Sequence, residues 1–187
     1  MASQEKKASG APAYALYAPP SALGPGEMLL RAEDGALTGV FFVDQKYAPA
    51  IGQRQAPVGS GVHEKDGGVL AAAAGQLDAW FAGELASFDL PLALHGSELK
   101  RRVWQHLAMI PYGERVTYGS LARALGLPPG HARAVGSAVG RNPLAIVLPC
   151  HRVVAADGSL RGYAGGLERK AWLLAHERAC AEGSGTQ

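Results

Sequence analysis

The alternation of apolar and polar residues in the first half of the chain predicts three short strands and one helix. Residues 27–44 read EMLLRAEDGALTGVFFVD, which predicts two strands joined by a turn at Asp34-Gly35. A Gly- and Pro-rich segment, 45–68, then predicts a long loop. The alanine-rich stretch from Val69 to Leu85 predicts a helix, and the alternation in FDLPLAL, residues 88–94, predicts a half-buried strand.

The second half has the periodicity of short helices. Apolar residues at four-residue spacing predict a helix that Ser97 caps and that ends before the sequence PYG at 111–113. Thr117 is expected to cap a second helix, Tyr118 to Leu125, and the turn LPPG separates it from a third helix, His131 to Arg141. Two short helices joined by a tight Gly/Pro turn predict a helix-turn-helix.

The third predicted helix has an inward side and a cationic side. At 100° per residue, the inward side comprises Val135, Ala138, Val139 and Asn142, and the other side comprises Arg133, Ser137, Gly140 and Arg141. Small side chains allow a helix backbone to approach a partner closely, and arginines bind phosphates or stack on bases. An exposed helix with two solvated arginines is the alternative that this pattern leaves open.

Composition and charge limit the class of protein. The 187 residues suffice for one ordinary domain or two small ones, and the net charge is only +2. Residues 1–95 carry six basic and ten acidic side chains (−4), whereas residues 96–187 carry twelve and six (+6), which predicts a basic surface on the second half. No apolar run is long enough to span a membrane and no secretory signal begins the chain, so a cytoplasmic location is expected.

The chain is expected to divide into two domains with short tails. The predicted parts are a disordered tail at 1–12, an N-terminal scaffold domain at 13–95, a C-terminal domain at 96–180 and a flexible tail at 181–187. Two cysteines, Cys150 and Cys180, form no CxxC pair, which excludes a disulfide framework and argues against a cysteine-based zinc site.

One cysteine stands in the stretch VLPCHRVV, residues 147–154, whose apolar flanks have the composition of strands. Because Pro149 cannot donate to a sheet ladder, Cys150 is expected at a strand end or a turn, where a reactant can reach it. His151 and Arg152 follow directly, and their charge or basicity near a thiol would favour the nucleophilic thiolate. Successive strand residues point in opposite directions, so an inert buried cysteine remains the alternative.

Ordered motifs across residues 97–178 resemble the O6-alkylguanine-DNA alkyltransferase family. These motifs are PCHR at 149–152, RAVG at 133–136, RNP at 141–143, IPYGE at 110–114, TYG at 117–119, GYAGGL at 162–167 and KAWLLAHE at 170–177. In the first half, SALG and WFAGE before FDLPL resemble bacterial-type members. The resemblance implies an α/β (α+β) fold, with an N-terminal RNase H-like domain and a C-terminal winged-helix-like domain that contains the helix-turn-helix.

The resemblance implies a DNA-repair enzyme, a methylated-DNA–protein-cysteine methyltransferase that acts stoichiometrically. Such a protein flips O6-alkylguanine, and to a lesser extent O4-alkylthymine, out of duplex DNA and transfers the alkyl group irreversibly to Cys150. His151, acting through a water and oriented by Glu177, would take the thiol proton. Asn142 would brace the turn that holds the thiol, and Tyr118 would aid rotation of the nucleotide and donate to the base.

The resemblance also implies contacts with DNA and a base pocket. Arg133 would enter the base stack from a helix in the minor groove and fill the gap that the flipped base leaves. The other expected DNA contacts are Tyr118, Gly119, Ala132, Gly136, Ser137, Lys100, Arg141 and Arg152. The base pocket is expected to include Val153, Tyr163, Ala164 and Lys170. No metal or cofactor is implied. The expected partner is double-stranded DNA with alkylated bases, without a membrane, and the protein is expected to be a monomer.

Two other functions remain as alternatives. A noncatalytic DNA-binding module could use the same helix-turn-helix to flag lesions, but alkyltransferase-like proteins of that kind replace the reactive cysteine, and Cys150 is present. A thiol hydrolase could use a triad of Cys150, His151 and Glu177, but it would leave the arginine-bearing helix without a role.

Overall fold

A three-stranded antiparallel sheet forms the first half of the molecule. The computed structural model describes residues 11–20, 25–49 and 64–183. The strands are β1 (Ala13–Tyr17), β2 (Met28–Glu33) and β3 (Ala36–Phe42), with β2 in the centre. The turn between β2 and β3 places Asp34 and Gly35 at positive φ, as a two-residue turn of this hairpin type requires. The predicted hairpin is confirmed.

One long helix, α1 (Glu64–Phe81), packs against this sheet. Leu70, Ala73, Leu77 and Trp80 recur at three- or four-residue spacing along α1 and are fully buried. Strand β2 contributes Leu30 to the same core. The alanine-rich segment therefore forms the predicted helix, although the helix begins before Val69.

The end of α1 also differs from the prediction, which placed it at Leu85. Gly83 adopts φ +78°, its N–H donates to the carbonyl of Trp80, and the N–H of Glu84 donates to the carbonyl of Ala79. This pair of bonds is the Schellman arrangement, in which a glycine in the left-handed region terminates a helix. The helix therefore ends at Phe81.

The predicted strand at residues 88–94 is wrong. Only Leu92 forms a β-bridge within this segment, to Leu37 of β3. The Pro91 carbonyl accepts from the Leu37 N–H, and the Ala93 N–H donates to the Leu37 carbonyl. Pro91 has no N–H of its own, so the pairing does not extend into a ladder. The alternating leucines lie along an extended connection between the two halves.

The second half consists of short helices with one small pair of strands. Its elements are α2 (Glu98–Leu107), β4 (Val116–Thr117), α3 (Tyr118–Ala124), α4 (Ala132–Val139), β5 (Val153–Val154) and α5 (Leu167–Gly183), with β4 parallel to β5. Helices α3 and α4 contact each other across the LPPG turn, which confirms the predicted helix-turn-helix. Ser97 occupies the N-cap position of α2, but its side chain makes no capping hydrogen bond.

The capping prediction for α3 is confirmed in detail. The Thr117 hydroxyl accepts from the backbone N–H of Ser120 at 3.0 Å, and the Ser120 hydroxyl accepts from the backbone N–H of Thr117 at 2.9 Å. This reciprocal pair satisfies two N–H groups at the start of the helix. It fixes the first turn of α3, and therefore the position of Tyr118.

The two halves meet at β3, which directly supports the turn that carries the thiol. The N–H of Val40 donates to the Pro143 carbonyl, and the Val40 carbonyl accepts from the N–H of Ala145. Buried apolar residues of both halves form one continuous core. Because a sheet strand holds the segment after α4, the first half positions the second half's turn.

Several predictions on the ends of the chain have separate outcomes. Residues 181–183, predicted to belong to a flexible tail, form the last turn of α5, whereas residues 184–187 lie outside the described residues. The predicted disordered tail at 1–12 and the predicted loop at 45–68 lie largely outside them too. The division into domains near residue 96 stays a prediction. No helix among the described residues is long and apolar enough to cross a membrane.

Candidate active site

The reactive-site turn, residues 142–149, is braced by one buried amide. The Asn142 side chain donates to the carbonyls of Leu144, at 3.1 Å, and Leu148, at 2.7 Å, and accepts from the N–H of Leu144 at 3.1 Å. Within the turn, Ile146 adopts φ +69°, a conformation that costs a β-branched residue free energy. Val147 and Leu148 have the composition of a strand, but they lie in a turn and a bend, where the Asn142 amide bonds the Leu148 carbonyl.

Cys150 lies at the start of a 3₁₀ turn, Cys150–Arg152, directly before β5. Pro149 has φ −78° and ψ 64°, and the Cys150 N–H donates to the Leu148 carbonyl at 2.7 Å, which together form an inverse γ-turn. The predicted position at a turn beside a strand is therefore confirmed. The thiol is buried, with 6% of the residue exposed.

Burial raises the pKa of the Cys150 thiol above its usual value. The Asn142 amide, the positive charge of Lys170 and the backbone N–H groups of Cys150 and His151 oppose this effect without cancelling it. The expectation that Arg152 would favour the thiolate is wrong, because its guanidinium bonds elsewhere. The resting site therefore holds a protonated thiol among groups that favour its anion.

A buried carboxylate connects three segments of the second half. Glu177 of α5 accepts from His151 Nε2 at 2.7 Å and from the Arg152 guanidinium, with its Nε at 2.9 Å and its Nη2 at 2.8 Å. The backbone N–H of Gly113 donates to the same carboxylate at 3.2 Å. Arg152 also donates to the carbonyl of Ile110. Every charge in this network has a partner, as burial requires.

The network fixes the protonation of its members. Burial alone would raise the pKa of Glu177, but the hydrogen bonds from His151 and Arg152 outweigh it and hold that pKa at about 2. Burial lowers the pKa of His151, against the raising effect of Glu177. A neutral His151 whose Nε2 donates to Glu177 has an acceptor at Nδ1. Among the described residues, no group hydrogen-bonds to Nδ1.

A second buried cation lies close enough to the thiol to favour its anion. Lys170 of α5 is fully buried, and its Nζ donates to the carbonyls of Val153, at 2.6 Å, and Arg161, at 2.9 Å. Burial lowers its pKa to about 8. The Tyr118 hydroxyl donates to the same Arg161 carbonyl at 2.8 Å. Burial and then the proximity of Cys150 raise the pKa of Tyr118, so this phenol stays a hydrogen-bond donor.

The loop 162–166 forms a wall beside the thiol. Gly162 adopts φ +57°, and a Cβ there would lie 3.6 Å from the Tyr118 hydroxyl, so the loop passes closely over that ring. The Tyr163 hydroxyl is buried and has no hydrogen-bond partner among the described residues. Burial and then the proximity of Cys150 raise its pKa. An orphaned buried hydroxyl near a thiol is a ready donor for a polar ligand.

The predicted third helix, His131 to Arg141, is shorter in the structure, but α4 and the turn after it present the two predicted sides. Val135, Ala138, Val139 and Asn142 are buried, whereas Arg133, Ser137 and Arg141 are exposed. The Trp104 indole donates to the Ala138 carbonyl at 2.9 Å and anchors the inward side. A Cβ on Gly136 would lie 3.7 Å from the Tyr118 ring, so α4 and α3 approach closely at this point.

The remaining predicted residues divide into those near the thiol and those away from it. Val153 is fully buried, and its carbonyl already accepts from Lys170. Gly119 and Ala132 are partly exposed in the first turns of α3 and α4, and Lys100 is partly exposed on α2. Arg152 is 5% exposed and bonded within the protein. The prediction that Arg152 contacts DNA is therefore wrong, because the salt bridge to Glu177 turns it inward.

Two main-chain groups of the site had no signal in the sequence. The N–H of Gly113 belongs to the Glu177 network, and the carbonyl of Arg161 joins Tyr118 to Lys170. Sequence motifs identify side chains, whereas these contacts depend on where loops pass in the folded chain. The motif IPYGE at 110–114 contains Gly113, but nothing in the motif indicated that the Gly113 N–H binds Glu177.

Sequence comparisons identify relatives across nearly the whole described chain. The family described as "6-O-methylguanine DNA methyltransferase, DNA binding domain" matches residues 98–179, and that described as "6-O-methylguanine DNA methyltransferase, ribonuclease-like domain" matches residues 13–94. A methylated-DNA–protein-cysteine methyltransferase of Mycolicibacterium paratuberculosis is 50% identical over 154 residues, which are 82% of this chain and 87% of the relative. The Mycobacterium leprae protein of that name is 47% identical with the same coverage.

Solved structures agree with the sequence relatives. The O6-methylguanine methyltransferase of Mycobacterium tuberculosis has a TM-score of 0.76 and 40% identity, covering 90% of this chain and 94% of that chain. The M. tuberculosis protein solved in complex with DNA has the same TM-score and identity, covering 89% and 93%. With its ribonuclease-like N-terminal and DNA-binding C-terminal regions, the chain belongs to the methylated-DNA–protein-cysteine methyltransferase family of DNA-repair enzymes.

Proposed function

We propose that this protein reverses alkylation damage in duplex DNA by accepting the alkyl group on Cys150. The substrate is O6-alkylguanine and, to a lesser extent, O4-alkylthymine, and each molecule reacts once. The observation that carries the proposal is a buried thiol whose anion the Lys170 ammonium favours, followed directly in the chain by the buried His151–Glu177 pair, in a fold whose helix α4 exposes Arg133. Relatives named for this reaction support it.

The burial of Cys150 requires that the damaged base come to the thiol. A base inside a duplex cannot reach a residue that is 6% exposed, so the nucleotide must rotate out of the stack. Helix α4 would lie in the minor groove, where Gly136 and Ser137 permit close approach. Arg133 is exposed and would fill the gap in the stack, while Tyr118 would crowd the phosphate next to the target and favour rotation.

Activation of the thiol uses the neutral imidazole. His151 donates from Nε2 to Glu177, which leaves Nδ1 to take the Cys150 proton through a water molecule. The resulting imidazolium is stabilised by the carboxylate, whose low pKa keeps it ionised. The Asn142 amide and the ammonium of Lys170 stabilise the thiolate as it forms. The raised pKa of the resting thiol means that deprotonation occurs during the reaction.

The transfer is an in-line displacement at the alkyl carbon. A bond forms between Cys150 Sγ and this carbon, and the carbon–oxygen bond breaks with its electron pair going to the base. The departing base then needs a proton or a hydrogen bond, which the Tyr118 hydroxyl and the Ala164 N–H would supply. Tyr118 must first release the Arg161 carbonyl, which Lys170 continues to bind. The product is a thioether with a poor leaving group, so the reaction ends after one turnover.

The binding partners follow from the same surface. Double-stranded DNA with an alkylated base is bound through its minor groove, with Arg133 and Ser137 on the exposed side of α4 and Arg141 in the turn after it. One copy of the chain contains the thiol, its base and the DNA-facing helix, so a monomer suffices. The carbonyls of Cys150 and Val153 each accept one bond within the protein, and a second lone pair on each would recognise the exocyclic amine of guanine.

Intact-mass spectrometry tests the function directly. The protein is incubated with duplex DNA containing O6-methylguanine and then weighed, beside the variants Cys150→Ser and Cys180→Ser. We expect one added methyl group in the wild type and in Cys180→Ser, mapping to Cys150, and none in Cys150→Ser. Unmodified wild-type protein that still binds the lesion would indicate a damage-flagging module, and repeated hydrolysis of an ester probe would indicate a thiol hydrolase.

A further inference from the structure

An exposed aromatic ring stands at the boundary between the first half and the candidate active site. Tyr47 follows β3, is 55% exposed and adopts φ +68°. Aromatic residues seldom occupy the left-handed region, because their side chains crowd the backbone there. The backbone of Tyr47 is therefore strained, and its ring remains in solvent, where no burial of apolar surface compensates for the strain.

Two cations flank this ring. Lys46 Nζ and Arg141 Cζ each lie 5.2 Å from the centroid of Tyr47. Both charges therefore lie within about 10 Å of each other, a separation at which salt screens them incompletely. Asp44, the acidic residue next to them in sequence, is bonded to Arg169 at 2.8 Å. The Lys46–Tyr47–Arg141 cluster therefore concentrates positive charge around one exposed ring.

The cluster is attached to the wall of the active site. The backbone N–H of Lys46 donates to the carbonyl of Ala164 at 3.1 Å. A cavity of about 280 Å³ lies between the cluster, the exposed side of α4 and the loop that carries Tyr163; Gly136, Ser137 and Gly140 line its α4 side. Residues of both halves thus enclose a space beside the proposed base pocket.

The position of Arg141 relates the cluster to the target base. Arg133 lies in α4, and Arg141 lies in the turn after it, two residues beyond the last helical residue, Val139. Eight residues of helix span on the order of 10 Å, or about three base-pair steps of DNA, so Arg141 lies no more than about this distance beyond Arg133 in the direction of the helix. If Arg133 lies at the extruded nucleotide, the cluster reaches the sugar-phosphate backbone a few nucleotides away. Within residues 11–20, 25–49 and 64–183, no carboxylate forms a salt bridge with Lys46 or Arg141. A phosphodiester there would supply the negative charge that these two cations lack.

We propose that Lys46 and Tyr47, together with Arg141, form a second DNA contact through which the first half of the chain binds the phosphate backbone beside the extruded base. The ring orients the two cations, and the Lys46–Ala164 bond keeps this contact in register with the active-site loop. The proposal rests on the proposed function, because that function places α4 on DNA. It assigns a direct binding role to a region otherwise expected to be a scaffold.

The salt dependence of DNA binding tests this contact. Dissociation constants for a duplex with O6-methylguanine are measured on Cys150→Ser, which cannot react, over a range of salt concentrations. Adding Lys46→Gln should weaken binding about threefold to tenfold at 0.1 M salt and should reduce the slope of log K against log salt by about 0.9. The matched control is Arg178→Gln, which removes an exposed charge of the same sign from α5.

The contacted phosphate is located by neutralising phosphates singly. Methylphosphonate links are placed two to five nucleotides from the lesion, on each strand in turn. At one of these positions, the methylphosphonate should weaken DNA binding by Cys150→Ser, and adding Lys46→Gln should then have no further effect. An unchanged slope in Lys46→Gln, or an effect no larger than that of Arg178→Gln, would overturn the proposal. Failure of the proposed function appears separately, as absence of alkylation of Cys150 in the wild-type protein.

Discussion

The two halves of the molecule bury different kinds of side chain. Among the described residues, six polar or charged side chains are buried, and of these only Thr38 lies in the first half, whereas Asn142, His151, Arg152, Lys170 and Glu177 lie in the second. The first half instead buries large apolar side chains, among them Trp80, Phe42 and Phe81. Apolar packing is non-directional and stabilises a shape, whereas a paired polar network requires one geometry. The first half provides stability, and the second combines stability with chemistry.

The largest effect is expected when the central carboxylate of the network is changed. Glu177→Gln keeps the shape of the side chain but removes the charge that pairs with Arg152 and orients His151. Unfolding free energy should fall by about 3–5 kcal/mol, because buried charges lose their partner. The rate of alkyl transfer per folded molecule should fall about 100-fold or more, because His151, the proposed base, loses the carboxylate that orients it. Urea unfolding and single-turnover kinetics measure the two effects.

The matched variant in the first half is Leu77→Ala. Leu77 is fully buried in α1, so its truncation should cost about 2–5 kcal/mol of unfolding free energy, similar to the loss in Glu177→Gln. The transfer rate of the folded fraction should change by less than about threefold, because this cavity leaves the network intact. Equal losses of rate in both variants would contradict the division between scaffold and site.

A smaller effect is expected at the exposed side of α4. Arg133→Ala should slow transfer from O6-methylguanine in duplex DNA by about 30-fold, the equivalent of about 2 kcal/mol for a lost contact in the opened stack. Reaction with free O6-benzylguanine, which needs no extrusion, should slow by less than about threefold. Similar losses on both substrates would refute the base-flipping role of Arg133.

A further effect, on unfolding free energy rather than on rate, is the pH dependence of stability, which should come from the second half. The pKa of Glu177 is about 2 in the folded state against an ordinary 4.5, so the unfolded chain takes up the proton first. The stabilisation is therefore complete above pH 4.5 and is lost as the pH falls toward 2, by up to about 3 kcal/mol. Urea unfolding across this range should show the loss, and Glu177→Gln should remove it.

Lys170 should produce a second rise of stability with pH, in the alkaline range. Its pKa is about 8 in the folded state against an ordinary 10.5, so between these values only the unfolded chain holds the proton. Stability should therefore rise as the pH increases from 8 to 10.5, by up to about 3 kcal/mol. Lys170→Met should flatten this rise. A wild-type profile without it would show that the ammonium is not held in a desolvated site.

The sequence predicted features that local chemistry determines. The Asp34-Gly35 hairpin and the Thr117 cap depend on residues within a few positions of each other, and both are observed. The motif around Cys150 identified the thiol, and helical periodicity placed Asn142 on the inward side. These inferences needed no knowledge of which segments meet in space.

The incorrect predictions involved residues whose surroundings come from distant segments. Arg152 reads as an exposed cation beside the thiol, but Glu177, 25 residues later, turns it inward. The leucines at 88–94 alternate like a strand, yet Pro91 limits their pairing with β3 to one bridge. No pattern in the sequence indicated the Lys46–Tyr47–Arg141 cluster, because Arg141 contacts the ring of Tyr47 only after the two halves pack together.

In the proposed reaction a sheltered thiol reacts with an extruded base and cannot be restored. The most direct measurement is the number of methyl groups transferred per protein molecule when duplex DNA with O6-methylguanine is present in excess. Repaired DNA and protein mass are followed together until the reaction stops. We expect a plateau at one repaired lesion for each molecule, with every Cys150 alkylated. Repair that continues beyond this plateau, or that proceeds with Cys150 unmodified, would contradict it.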